Sequence, residues 1–167
     1  GREFARRATG FRMRILAFDL FPDQAAADEI GATFVSLDQL LAESDFVSLH
    51  CTLTEETTHL IDAAALARMK PTAILINAAR GPVVDTDALV AALRNGTIWA
   101  AGLDVTDPEP IRSDHPLANL ENCLVVPHIA SGTIATRNAM ARIAIENCVA
   151  VLTGKPPVAC VNPEVLA

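Results

Sequence analysis

A repeated unit constrains this chain more than any single motif does. A short apolar run is followed by a polar turn and then by a segment of helical period, and the unit recurs along the whole length. The runs at 13–18 (MRILAF), 32–36 (ATFVS), 45–50 (DFVSLH), 72–78 (TAILINA), 98–105 (IWAAGLDV) and 123–127 (CLVVP) read as strands. Segments 23–31, 37–44, 62–69, 85–96 and 133–154 read as helices. Asp62 is the expected cap of the third of these and Asp85 or Thr86 of the fourth, with Gly31, Gly96 and Gly154 at the exits. Acidic or hydroxyl residues at the entry and glycine at the exit satisfy backbone groups that a helix leaves unpaired. Strands alternating with helices predict a parallel sheet with right-handed crossovers. Several runs are apolar on both sides, as expected where helices cover both faces.

Composition agrees with this α/β reading. Of 167 residues, 51% are hydrophobic and 20% charged, which is a globular balance. Aromatic residues are only 4% and there is no Tyr, so Ala, Val, Leu and Ile must build the core. A net charge of -7 without a Lys/Arg cluster argues against a nucleic-acid surface or an anionic membrane surface. No stretch approaches the ~18 apolar residues of a membrane span. The cysteines, Cys51, Cys123, Cys148 and Cys160, show neither CxxC nor a metal spacing. No metal is expected, three of the cysteines read as small core residues, and the unpatterned usage fits a reducing, cytoplasmic setting. The chain opens at Gly1, so the lack of a visible leader carries no weight.

In parallel sheets of this kind, ligands sit beyond the carboxyl ends of the strands. Asp19, His50, Arg80, Asp104 and His128 each lie at or just past such an end. Each has a bland alternative. Asp19 could start the turn before Pro22, Asp104 could cap a turn, and His128 could bond to backbone at a strand end. Glu109 could be a solvated turn carboxylate between two prolines. His50 reads as structural, and His59 and His115 as surface residues. Cys51 is a poor candidate for a nucleophile, because no motif places a base beside it. Residues 1–11 (GREFARRATGF) read as a helix opened by Gly1 with Phe4, Ala5 and Ala8 as its apolar positions. A glycine at a helix start and an acid at the next strand end form the second half of a dinucleotide-binding βαβ unit. Segment 155–167 (KPPVACVNPEVLA) has no helical period and reads as an extended tail.

Longer wording narrows these alternatives. MKPTAILINAARGPVVD, AAGLDVTDPEP and VVPHIAS, in that order, together with LLAESDFVSLHCTLTEETTHLID, resemble the D-isomer-specific 2-hydroxyacid dehydrogenases. The wording is closest to the glyoxylate/hydroxypyruvate reductase and phosphoglycerate dehydrogenase branches. The resemblance covers nearly the whole chain. It implies a Rossmann-like, doubly wound parallel sheet and NAD(P)-dependent interconversion of a small 2-oxo acid and a D-2-hydroxy acid. It also implies a truncated N-terminus, with the first strand and most of the glycine-rich loop absent. Residues 1–154 would be an incomplete NAD-binding domain, and the 155–167 tail would pack on a separate substrate domain. The catalytic set it implies is Arg80, Glu109 and His128. Its cofactor contacts are Gly1, Asp19, Cys51, Ala78, Ala79, Arg80, Asp104, His128, Ala130 and Ser131. Asp19 favours NAD over NADP, because a carboxylate accepts from ribose hydroxyls and repels a 2′-phosphate. A homodimer is implied for the full-length form. Some relatives sense dinucleotides as corepressors, and an inactive fragment is a further reading. Thr52 stands where the family has Pro, which implies a looser turn beside the cofactor. In the usual strand order the first strand lies between the second and the fourth, so its absence predicts a gap in the sheet. Pairing of 13–18 directly with 45–50 would refute that topology.

Overall fold

The computed structural model describes residues 1–166. The chain divides into two compact units, Gly1–Pro127 and His128–Ala167. The first unit runs α1 (Arg2–Thr9), β1 (Ile15–Ala17), α2 (Gln24–Ile30), β2 (Ala32–Phe34), α3 (Leu37–Glu43) and β3 (Phe46–Leu49). It continues with α4 (Ala63–Arg68), β4 (Ile74–Asn77), α5 (Thr86–Arg94), β5 (Ala100–Leu103) and β6 (Cys123–Val125). Short 3-10 turns at Gly81–Val83 and Pro116–Asn119 lie between these elements. The second unit holds α6 (Ile134–Leu152) and a 3-10 turn at Pro163–Leu166.

Helix starts follow the capping chemistry of the sequence. The side chains of Asp23, Ser36, Asp62, Asp85 and Thr133 each accept a hydrogen bond from the backbone N–H three residues on. Gly31 closes α2 in the left-handed conformation, φ 68°, where a Cβ would be strained. Asn95 closes α5, with Gly96 following at φ 67°.

All strand pairs are parallel, but they form two ribbons rather than one sheet. β1 pairs with β2, and β3-β4-β5-β6 form a four-stranded sheet. Among the described residues β1 does not pair with β3, so the expected gap is present. One face of the larger sheet carries Val47, Leu49, Leu75, Asn77, Ala101 and Leu103, all buried. The apolar side chains among them cluster with Leu41 of α3, Ala65 and Leu66 of α4, and Leu89, Val90 and Leu93 of α5.

Several expectations need correction. Every strand is shorter than its apolar run, although flanking residues such as Trp99, Asp104 and Val126 still donate an N–H to the neighbouring strand segment. Ala73 is fully buried yet lies outside β4, its N–H bonded to the Lys70 carbonyl in a turn. The opposite sheet face is only partly covered: Phe46 is 53% and Leu124 68% exposed, and Ile74, Ile76, Ala100 and Gly102 are half-buried. α1 buries none of its residues, Phe4 included. No cysteine is fully buried: Cys148 is exposed and the other three are half-buried, of which Cys51 and Cys123 pack against the core. His115 is half-buried, and its Nδ1 accepts from the Leu117 N–H at the start of a 3-10 turn. In the tail, the Asn147 amide of α6 clamps Ala159, accepting from its N–H (3.0 Å) and donating to its carbonyl (3.2 Å).

Candidate active site

The loop that follows β4 is built around Asn77. This side chain is 1% exposed and would be costly to bury unpaired. Its Oδ1 accepts from the Ala79 N–H (3.0 Å) and its Nδ2 donates to the Arg80 carbonyl (2.9 Å). The Arg80 guanidinium itself stays exposed, with Nη1 donating to the Ala79 carbonyl (2.7 Å). Sequence reasoning assigned Asn77 no role. The signal was available: an amide is the only polar side chain in an otherwise apolar buried strand, and such a group needs partners close by.

Gly81 comes next, and its role differs from simply turning the chain. A Cβ there would overlap the Thr106 carbonyl and come within 2.8 Å of the Asp107 nitrogen. The backbone after β5 therefore lies directly against the backbone after Arg80. Thr106 Oγ1 donates to the Pro108 carbonyl (2.8 Å) and Thr86 Oγ1 to the Asp107 carbonyl (2.9 Å), which fixes the segment leading to Glu109. Asp104 is 8% exposed, and its N–H donates to the Asn77 carbonyl (2.8 Å), so the ends of β4 and β5 are tied together. Glu109 is exposed on the loop beyond.

Gly1, His50, Cys51, Thr52, Leu53, Ala78, Ala79 and Arg80 line one open cleft of about 270 Å³. Of the expected cofactor contacts, Gly1, Cys51, Ala78, Ala79 and Arg80 are thus brought together. Residues 1, 78 and 79 carry no side chain larger than a methyl group, and Arg80 supplies a cation. His50 also lines the cleft. Its ring lies 5.4 Å from that of Phe4 on α1, and its Nε2 is 2.9 Å from Ser48 Oγ. Loss of hydration holds its pKa below the usual histidine range.

Asp19 is exposed after β1, and its Oδ1 accepts from the Phe21 N–H (2.9 Å), so it does start the turn before Pro22. The same carboxylate is close enough to Cys51 to oppose its ionisation. Burial first, and the Asp19 charge second, push the Cys51 thiol up, which agrees with its dismissal as a nucleophile. His128, Ala130 and Ser131 belong to the second unit. His128 has φ 51°, a left-handed conformation uncommon for a residue with a Cβ. The turn beyond it is closed by the Gly132 N–H donating to the Ile129 carbonyl (2.8 Å).

Comparison with known proteins gives a consistent pattern. Residues 1–130 match the family model of the D-isomer-specific 2-hydroxyacid dehydrogenase NAD binding domain. A glyoxylate/hydroxypyruvate reductase B of Yersinia pestis (strain Pestoides F) is 51% identical over 167 residues, covering 99% of this chain and 51% of that protein. Among solved structures, the TT0316 protein of Thermus thermophilus superposes with a TM-score of 0.90 at 47% identity, covering 96% of this chain and 50% of its own. The holo form of Rhodotorula graminis D-mandelate dehydrogenase gives a TM-score of 0.87 at 38% identity, covering 95% of this chain and 47% of its own. The chain spans about half the length of the curated relatives it matches.

Proposed function

This chain belongs to the D-isomer-specific 2-hydroxyacid dehydrogenase family as its NAD-binding domain, and on that premise we propose that it serves a dehydrogenase moving a hydride between NAD(H) and a small 2-oxo acid. The substrate class is that of glyoxylate and hydroxypyruvate, the substrates in the name of the Yersinia relative. The observation that carries the reading is the cleft in which Gly1, Cys51, Ala78, Ala79 and Arg80 converge. Those are the positions the family's wording assigns to cofactor and substrate.

Reduction of a 2-oxo acid makes three demands on the protein. A cation must hold the carboxylate and polarise the carbonyl; Arg80 offers a planar two-pronged donor for this. A proton must reach the developing alkoxide; His128 is the acid in this reading, and its left-handed backbone is the kind of constraint found where a side chain must be aimed. A carboxylate must keep that imidazole protonated, and Glu109 takes the role. The cofactor supplies the hydride. Asp19 receives the adenosine ribose and disfavours a 2′-phosphate. Asp104 faces the nicotinamide carboxamide, and Ala130 and Ser131 complete the cofactor's surroundings. In the same proposal residues 1–154 are the nucleotide domain, the 155–167 tail packs on a substrate domain, and the enzyme is a cytoplasmic homodimer. Free cysteines support that compartment, and no described helix is long and apolar enough to cross a membrane.

The test is steady-state turnover of the full-length protein on a panel of 2-oxo acids with NADH and with NADPH. Arg80→Ala and His128→Ala are each expected to lower kcat/KM by about two to four orders of magnitude. Normal rates in either variant would refute the mechanism. Asp19→Ala is expected to narrow the preference for NADH.

A further inference from the structure

The loop 51–58 carries Cys51, Thr52 and Leu53 along one wall of the cleft, and it has no regular secondary structure before residue 55. Something other than a strand or helix must hold it. Position 52 is threonine, so no proline ring fixes the backbone there either.

Thr57 occupies that role by geometry. It is 9% exposed, although it sits in a surface turn whose neighbours are exposed. Its hydroxyl donates to the Thr52 carbonyl (2.7 Å) and accepts from the Thr54 N–H (2.7 Å). The first bond reaches the lining residue Thr52 and the second the residue just beyond the lining, so the two bracket Leu53. The base of the same loop is anchored separately. The His59 N–H donates to the Pro82 carbonyl (2.8 Å) and the Ile61 N–H to the Val83 carbonyl (3.1 Å), just beyond Arg80. The far end of the loop is therefore laddered to the arginine loop; at the near end the Thr58 N–H also donates to the Thr54 carbonyl (3.0 Å), and the Thr57 hydroxyl is the group that reaches the lining residue Thr52. Thr58 Oγ1 bonds only to the Thr54 carbonyl (2.7 Å) and does not reach the lining residues.

We propose that Thr57 is a positioning residue for NAD(H), its hydroxyl holding Thr52 and Leu53 at the spacing the cofactor needs. The proposal rests on reading the cleft as the NAD site. Thr57→Val keeps the shape and removes the hydroxyl, Thr57→Ser keeps the hydroxyl, and Thr58→Val removes a neighbouring hydroxyl that touches no lining residue. In the full-length protein, Thr57→Val should raise the NADH Kd and the NADH KM roughly three- to tenfold, the scale of one lost hydrogen bond. Its kcat should stay within about twofold, because the reacting groups are untouched. Thr57→Ser and Thr58→Val should bind NADH as the wild type does. Wild-type affinity in Thr57→Val, or equal losses in Thr57→Val and Thr57→Ser, would overturn the assignment. If Thr57→Val does not fold, Thr57→Ser alone decides: affinity within about twofold of wild type supports the hydroxyl, and a larger loss overturns it. Wild-type protein that fails to bind NADH would remove the NAD reading itself, a result distinguishable from failure of the Thr57 variants alone.

Discussion

Gly81 has no room for a side chain, and that fact governs the loop carrying Arg80. A methyl group at this position meets the Thr106 carbonyl, which is backbone and cannot swing aside. Gly81→Ala is expected to cost about 3 kcal/mol or more in urea unfolding, at the upper end of overpacking penalties. A loss below about 1 kcal/mol would show that the two loops separate easily. Asn77→Leu leaves the Ala79 N–H without its partner and the Arg80 carbonyl with only the longer bond from the Val83 N–H (3.3 Å), and about 2 kcal/mol of stability should go with it. Cys123 gives a pH test. Burial pushes its thiol from the ordinary 9.0 up to about 11. The folded chain therefore keeps this proton after the unfolded chain has lost it. The contribution is complete below the ordinary thiol value and drains away as pH rises through the folded one. The urea midpoint of the wild type should accordingly fall more steeply across that alkaline window than that of Cys123→Ala. Parallel curves would contradict the shift. Arg80 and Gly81 were visible in the sequence as a motif. The reason for the glycine was not, because Thr106 lies 25 positions further along the chain.

At the scale of elements, helices were read more accurately than strands. A helix announces its own start, since the cap and its N–H partner are three residues apart. Asp85 illustrates this: its carboxylate accepts from the Ala88 N–H (3.0 Å), and Asp85→Ala should cost about 1 kcal/mol, measured by urea unfolding. No change would mean that α5 is held by its packing alone. A strand end is set by where the neighbouring strand stops, so the apolar runs at 13–18 and 72–78 overstate β1 and β4. α6 is the element whose pattern says least about its surroundings. Apolar residues such as Ile134, Ile145, Val151 and Leu152 are exposed along it, and no residue of it is buried. The loop before α4 was read through the Thr52-for-Pro change as loosened. The Thr57 hydroxyl donates to the Thr52 carbonyl there, and a hydroxyl's partner cannot be read from one-dimensional spacing.

For the molecule as a whole, the division of the strands into a two-stranded ribbon and a four-stranded sheet predicts uneven stability. β4 is paired on both sides, by β3 and β5. β1 is paired on one side only, over three residues. Amides of Leu75 and Ile76 should exchange with solvent at least about tenfold more slowly than those of Leu16 and Ala17. Uniform protection across both ribbons would mean that another contact closes the gap. The amino-acid sequence by itself determined the α/β alternation, the helix caps, the gap between the ribbons and the family, because each is written in local patterns or in long ordered wording. Tertiary structure alone decided that Gly81 is required, that Asn77 and Thr57 hold the walls of the cleft, and that five of the expected contacts share it. Those facts depend on backbone atoms from distant segments meeting within hydrogen-bond or van der Waals distance, and no periodicity along the chain encodes such meetings.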